Sequence, residues 1–172
     1  MKKENLLKFI FGSAIIAALA LTVNSCTKDE DPCDEVTCQN GGSCNDGNCT
    51  CATGYQGSLC ETEVREKFVA TYECSNSCLP GSSWTCVISK SATGITKVVM
   101  TNMGNTPGLE LIGTVDGNNI TILSQTDNDN DGDSWTVEGT GSISGTTVTL
   151  NIQYTFNPSG TTLNCTESWV KS

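Results

Sequence analysis

The chain has 172 residues, with 11 Cys, 17 Gly, no His and a formal net charge of −10. Without His, a Ser-His-Asp hydrolase and a His-ligated zinc enzyme are excluded. An acidic chain also lacks the basic surface that neutralises phosphate, so no nucleic-acid partner is expected. Eleven cysteines in so short a chain indicate export to an oxidising compartment.

Residues 1–25 have the layout of an export signal. Lys2, Lys3 and Lys8 precede an apolar run over residues 9–23. This run is shorter than the roughly 20 residues that a membrane-spanning helix needs, which favours a cleaved signal peptide over a permanent anchor.

The end of this segment, Val23-Asn24-Ser25-Cys26, resembles the lipobox of bacterial lipoproteins. The resemblance implies that Cys26 is lipidated, with an ordinary secretory signal as the alternative. Residues 26–32 form an acidic tether whose Lys-plus-acidic sequence resembles the export signal of Bacteroidetes-type surface lipoproteins, with a plain charged linker as the alternative. Together these resemblances imply a protein that is lipid-anchored in the bacterial outer membrane and faces the cell exterior.

Residues 33–61 form a cysteine-dense module. Six Cys within so few residues leave no room for a hydrophobic core, so disulfides must stabilise it. The run Cys38-Gln39-Asn40-Gly41-Gly42-Ser43-Cys44, then Cys49-Thr50-Cys51 and Gly54-Tyr55 before Cys60-Glu61, resembles an epidermal growth factor-like domain. That resemblance implies a spacer or protein-contact unit without calcium. It also implies the bridges Cys33–Cys44, Cys38–Cys49 and Cys51–Cys60.

After a linker over residues 62–66, residues 67–172 predict an all-β domain. Eight runs rich in β-branched and aromatic residues are separated by turn signals. They cover 67–74, 84–90, 95–102, 109–115, 119–125, 135–143, 146–156 and 162–170. We expect an antiparallel eight-stranded meander barrel, with a β-sandwich as the alternative. The domain resembles a small lipocalin-like (calycin) barrel.

Four cysteines remain for this domain. If the barrel closes, its first and last strands are antiparallel neighbours, which favours Cys74–Cys165 and leaves Cys78–Cys86. The alternative pairing is Cys74–Cys86 with Cys78–Cys165.

The segment from Asp127 to Glu138 follows the Asp-x-Asp-x-Asp-Gly spacing of a calcium-binding loop. The candidate ligands are Asp127, Asp129, Asp131, Asp133 and Glu138. Calcium is therefore the one candidate cofactor, and a solvated acidic hairpin tip is the alternative.

These features favour a lipid-anchored surface protein for binding, adhesion or scaffolding, with a protein or glycan partner. The alternative is a carrier of a small apolar ligand inside the barrel. Six large side chains would decide between the two by filling the interior or leaving it open: Phe68, Tyr72, Ile152, Tyr154, Phe156 and Trp169. An enzyme with paired carboxylates is not expected, because no spacing marks any two of Glu73, Glu110, Glu138 and Glu167 as a pair.

Overall fold

A computed structural model describes residues 31–172. The predicted signal peptide, the predicted lipidation site Cys26 and most of the acidic tether lie outside the described residues. Within them the protein is all-β, as predicted, with two short 3-10 helices at Val64–Phe68 and Met103–Asn105. No helix in this part of the chain is long and apolar enough to cross a membrane.

The N-terminal module consists of two small hairpins that are crosslinked by disulfides. The first pairs β1 (Ser43–Asn45) with β2 (Asn48–Thr50), and the second pairs β3 (Tyr55–Gln56) with β4 (Thr62–Glu63). Three disulfides join Cys33 to Cys44, Cys38 to Cys49 and Cys51 to Cys60, the pairs that the resemblance implied. Of these cysteines only Cys60 is fully buried, so covalent bonds take the place of a core here.

Eight antiparallel strands form a closed barrel, as predicted. They are β5 (Ala70–Asn76), β6 (Trp84–Lys90), β7 (Lys97–Thr101), β8 (Glu110–Asp116), β9 (Asn119–Asn128), β10 (Ser134–Ser144), β11 (Thr147–Phe156) and β12 (Thr161–Lys171). Each strand pairs with its neighbour in sequence, and β12 pairs with β5 to close the barrel. Closure leaves no unpaired strand edge, which an isolated sheet of this length would expose.

The interior of the barrel is filled by large side chains. In β11 the residues Val148, Leu150, Ile152 and Tyr154 are buried while Thr149 and Asn151 between them are exposed, because side chains alternate across a strand. Phe68, Tyr72 and Trp169 are fully buried in the same cluster. Five of the six large side chains that were to distinguish a packed interior from an open one are therefore buried in it. The sixth, Phe156, is only partly buried at one end of the barrel.

The pairing of β10 is irregular at one point. The pairing of β10 with β9 shifts register between Val137 and Gly139. A Cβ atom at Gly139 would lie 2.4 Å from the backbone oxygen of Asn151 and 2.5 Å from a side-chain carbon of Ile152. Only glycine fits there, because β11 packs directly against this part of β10.

The first barrel strand begins later than the sequence predicted. Residues 67–69 were expected to belong to it, but Val64–Phe68 is a 3-10 helix. Arg65 explains the difference: its Nη1 donates to the carbonyl oxygens of Ser91, Gly94 and Lys97 at 2.7–2.8 Å. Its Nε donates to Glu63, which holds the pKa of that carboxyl below its ordinary value. These bonds fold the connector under the barrel instead of extending it.

The favoured pairing of the four barrel cysteines is wrong, and of the alternative pairing only Cys78–Cys165 forms. Cys165 is bonded to Cys78, so neither Cys74–Cys165 nor Cys78–Cys86 forms. The physical reason is strand register: β5 and β12 are antiparallel neighbours, but Cys74 lies opposite Trp169. Cys165 precedes Trp169 by four residues in β12. The loop that follows β5 places Cys78 next to it. Cys74 and Cys86 are buried free thiols.

The two ends of the barrel carry different parts of the chain. Because the strands are antiparallel neighbours, alternate connections lie at the same end. We call the end formed by residues 77–83, 102–109, 129–133 and 157–160 the mouth. The opposite end, with the Val64–Phe68 helix and the turns at 91–96, 117–118 and 145–146, is the base.

The disulfide module contacts the base. The backbone N–H of Val64 donates to the carbonyl of Gly54 at 2.9 Å, and Gly54 lies against the side chain of Ile95. A cleft of about 430 Å³ follows this junction, with Tyr55 of the module on one side and Asp116 of the barrel on the other. The chain therefore enters the barrel from the end opposite the mouth.

Candidate functional site

The mouth contains a small cavity of about 170 Å³. Its lining combines aromatic, apolar and amide side chains with the long-range disulfide: Asn76, Cys78, Leu79, Gly104, Thr106, Trp135, Tyr154, Leu163 and Cys165. Gly104 keeps the space open, because a Cβ atom there would approach the ring of Tyr154 to 3.1 Å. Concave sites that combine aromatic walls with a few polar groups are the usual form of a binding pocket.

A network of buried polar groups lies directly below this cavity. Glu167 is fully buried, and its Oε1 accepts a hydrogen bond from the hydroxyl of Tyr154 at 2.6 Å and one from Nδ2 of Asn76 at 3.3 Å. Its Oε2 accepts one from Nε1 of Trp169 at 2.7 Å. Burial and the neighbouring Glu167 carboxylate raise the pKa of Tyr154 well above its ordinary value. The donors of Tyr154, Asn76 and Trp169 thus all bond the Glu167 carboxyl group beneath the floor of the cavity.

Trp135 forms one wall of the cavity and is held from two sides. Its ring lies 4.9 Å from the ring of Phe156, its cross-strand partner. Its Nε1 donates to Oδ2 of Asp129 at 3.0 Å, which is the main cause that lowers the pKa of that carboxyl. These contacts fix the indole at the rim, where it is only partly buried.

The acidic loop does not bring its predicted calcium ligands together. Among residues 31–172, no group of three or more His, Cys, Asp or Glu side chains is arranged to hold a metal ion. Asp127 instead accepts the backbone N–H of Glu110 at 2.8 Å, and Asp129 accepts the N–H groups of Asp131 and Asp133.

The last predicted ligand, Glu138, lies on the exposed outer face of β10. In this arrangement the predicted ligands are apart, and the main organising acceptor of the hairpin loop is Asp129. The strands that flank the loop are the cause, since they extend away from it where the helix of an EF-hand would return a Glu to it.

The loop also packs against the neighbouring mouth segment. The backbone N–H of Asn130 donates to the carbonyl of Pro107 at 2.9 Å. Gly108 lies so close to Asn130 that a Cβ atom would approach its backbone nitrogen to 2.7 Å. The acidic loop is thereby fixed beside the cavity.

The free thiols Cys74 and Cys86 lie deep in the barrel. Both are fully buried; Sγ of Cys74 donates to the carbonyl of Tyr72 at 3.9 Å and Sγ of Cys86 to the carbonyl of Asn102 at 3.4 Å. Burial first, and then the Cys86 thiol, raises the pKa of the Cys74 thiol far above its ordinary value. A thiol is a reactive nucleophile only as the exposed thiolate, so neither group is placed for catalysis.

The other carboxylates considered for catalysis are separated from Glu167. Glu73, Glu110 and Glu138 are all exposed, on β5, β8 and β10, whereas Glu167 faces the interior of β12. The structure therefore does not bring Glu167 together with any of them on one face.

A second concavity lies on the outer side of the barrel, across β9 to β12. It has a volume of about 480 Å³ and is lined mainly by exposed polar side chains, among them Glu138, Asn151 and Asn164. Leu123, which is 70% exposed, is at its edge. This groove is open and lacks the aromatic walls of the mouth cavity.

Charge is distributed unevenly along the barrel axis. The described residues include five cationic side chains: Arg65, Lys67, Lys90, Lys97 and Lys171. All five belong to the base, where Lys67 bonds Asn118 and Lys171 bonds the carbonyl of Lys67. The charged side chains of the mouth and the adjoining strand ends are all acidic: Glu110, Asp127, Asp129, Asp131 and Asp133.

The sequence does not predict the cavity, although it contains one signal for it. Glu167 lies between Cys165 and Trp169 at the spacing of one strand face, so period-two alternation already places it inside. What the sequence does not contain is the convergence of Trp135, Tyr154 and Leu163 from three strands, since this depends on barrel closure.

Comparison with known proteins adds no identification. No model of a known protein family matches the chain. No solved structure matches it significantly either.

Proposed function

We propose that this protein is a lipid-anchored surface protein that binds a partner through the mouth of its β-barrel, with the disulfide module as a spacer. The proposal rests on one observation: the mouth and the base lie at opposite ends of the barrel. The chain reaches the barrel base from the cysteine-dense module, and the mouth is at the far end. A tether attached before the module holds the base toward the membrane and leaves the mouth free.

The mouth is also the part of the barrel best suited to recognition. Loops on a rigid scaffold are where proteins concentrate binding residues. Here two exposed leucines, Leu79 at 41% and Leu163 at 47%, border a cavity with aromatic walls. The packed interior supports binding at the mouth over carriage of an apolar ligand inside, because core side chains occupy that space.

The anchoring part of the proposal rests on the sequence of residues 1–32. Its lipobox-like Val23-Asn24-Ser25-Cys26 and the acidic tether are expected to place the protein on the outer membrane, facing outward. Replacing Cys26 by Ala is expected to move the protein from the membrane fraction to the soluble fraction. Continued fractionation of Cys26→Ala with membranes would contradict lipid anchoring and leave the binding proposal to the next test.

The binding test is photo-crosslinking in growing cells. A photoreactive phenylalanine at position 163 lies at the mouth, and the matched control at position 123 lies on an exposed strand face of the barrel side. We expect a defined crosslinked product from position 163 and none from position 123. Absence of any product from position 163, or equal products from both positions, would overturn the proposed use of the mouth.

A further inference from the structure

We propose that the mouth cavity receives the basic side chain, lysine or arginine, of a protein partner. This inference rests on the proposed function and names the chemistry of its partner. It depends on four features of the mouth: its charge, its aromatic walls, its apolar rim and the size of its cavity.

The charge pattern favours a cation. Each cationic side chain among residues 31–172 lies at the base, so a basic group that approaches the mouth meets no like charge there. It meets the acidic loop with Asp129, Asp131 and Asp133, which the contact between Asn130 and Pro107 fixes beside the cavity. An anionic or phosphorylated partner would meet repulsion from the same loop.

The walls of the cavity favour a cation as well. Trp135 and Tyr154 both line it, and the electron-rich faces of aromatic rings attract ammonium and guanidinium groups. Trp135 already uses its N–H to bond Asp129, so it has no donor left for an acceptor on the partner. Below the floor, Glu167 adds a carboxyl group that is shielded from water.

The size and the rim of the cavity identify the source of the cation as a protein side chain. The volume of about 170 Å³ equals that of about six water molecules, which suits one long side chain. Leu79 and Leu163 border this cavity and are exposed large apolar residues. A small amine would leave both leucines in water, whereas a peptide with apolar residues beside its Lys or Arg would cover them.

The test uses the full chain, purified in a non-ionic detergent, and the capped peptide acetyl-Ala-Leu-Lys-Leu-Ala-amide. The central residue is varied to Arg, norleucine and Glu, and affinities are measured by calorimetry. We expect the Lys and Arg peptides to bind at least about tenfold more tightly than the norleucine peptide, with affinity falling as salt rises. Equal binding of the norleucine peptide, tighter binding of the Glu peptide or no binding of any peptide would overturn the inference.

Charge variants locate the binding site. Leu163→Arg is expected to weaken the Lys peptide at least about tenfold, and more than Leu163→Glu does, because both lose the apolar contact and only Arg adds a repelling charge. The matched control Leu123→Arg adds the same charge at the outer groove and is expected to leave affinity unchanged. Leu163 and Leu123 are both exposed, so the fold is expected to tolerate the three substitutions, and thermal unfolding verifies this. Loss of binding in Leu123→Arg alone would transfer the site to the outer groove and overturn the inference.

A last measurement distinguishes between a protein side chain and a free amine as the ligand of the cavity. Butylammonium, which has the cation and stem of Lys without the flanking leucines, is expected to bind at least about tenfold more weakly than the Lys peptide. Equal or tighter binding of butylammonium would overturn the assignment to a protein partner. If the peptides fail while position 163 still crosslinks in cells, this inference fails and the proposed function stands.

Discussion

The long-range disulfide Cys78–Cys165 is expected to be the largest single covalent contribution to barrel stability. It closes a loop with a sequence separation of 87 residues, against 9 to 11 for the three bridges of the module. The loop-entropy relation, applied to that separation, gives a stabilisation of about 4.6 kcal/mol. The same relation gives about 2.6 kcal/mol for the shortest module bridge, Cys51–Cys60.

The disulfide is removed in the double variant Cys78→Ala with Cys165→Ala, which leaves neither cysteine as a free thiol. Guanidinium chloride unfolding without reductant, followed by tryptophan fluorescence, reports on the barrel because Trp84, Trp135 and Trp169 all belong to it. We expect the free energy of unfolding to fall by about 4–5 kcal/mol, a large part of the total for a domain of this size.

The matched control is Cys74→Ala with Cys86→Ala, which removes two buried sulfurs and no bridge. We expect it to cost about 2 kcal/mol, from two buried groups of roughly methylene size. A control variant that loses as much as the Cys78/Cys165 variant would refute the pairing and the reasoning from loop length.

Three further predictions follow from buried or crowded groups. Cys74 and Cys86 are buried, so an alkylating reagent is expected to add nothing to the native protein and two groups in denaturant without reductant, as measured by mass spectrometry. No addition in denaturant would mean a fifth bridge. Gly139→Ala is expected to lower the free energy of unfolding by about 1–3 kcal/mol through overpacking. The control is Gly94→Ala, whose Cβ atom would only touch the Lys97 side chain at 3.4 Å, and an equal loss in both variants would contradict overpacking. The pKa of Asp129 is lowered in the folded state, so its charged form stabilises the fold above its unfolded pKa and this contribution is lost as pH falls through the folded pKa. The difference in Tm between wild type and Asp129→Asn should therefore narrow from pH 7 to acid pH, and a constant difference would show that the charge of Asp129 is not involved.

The sequence determined most of the architecture. Alternating residues such as Val148, Leu150 and Ile152 define a strand with one buried face whatever the remainder of the chain does, because the side-chain period of a strand is two. Turn residues such as Asp116-Gly117 separate the strands, and successive hairpins leave few arrangements other than a meander. The six cysteines of the module pair in the structure as the resemblance to an epidermal growth factor-like domain implied.

Only the tertiary structure decided which distant residues meet. Cys165 bonds Cys78 and not Cys74 because the register of β12 against β5 places Trp169 opposite Cys74, and local sequence does not encode register between strands that are nearly 100 residues apart. The acidic loop has the spacing of a calcium site, but its flanking strands carry Glu138 away from it. The mouth cavity exists because closure brings Trp135, Tyr154 and Leu163 to one end. The confinement of the described cationic side chains to the base becomes visible only when alternate loops are assigned to their ends.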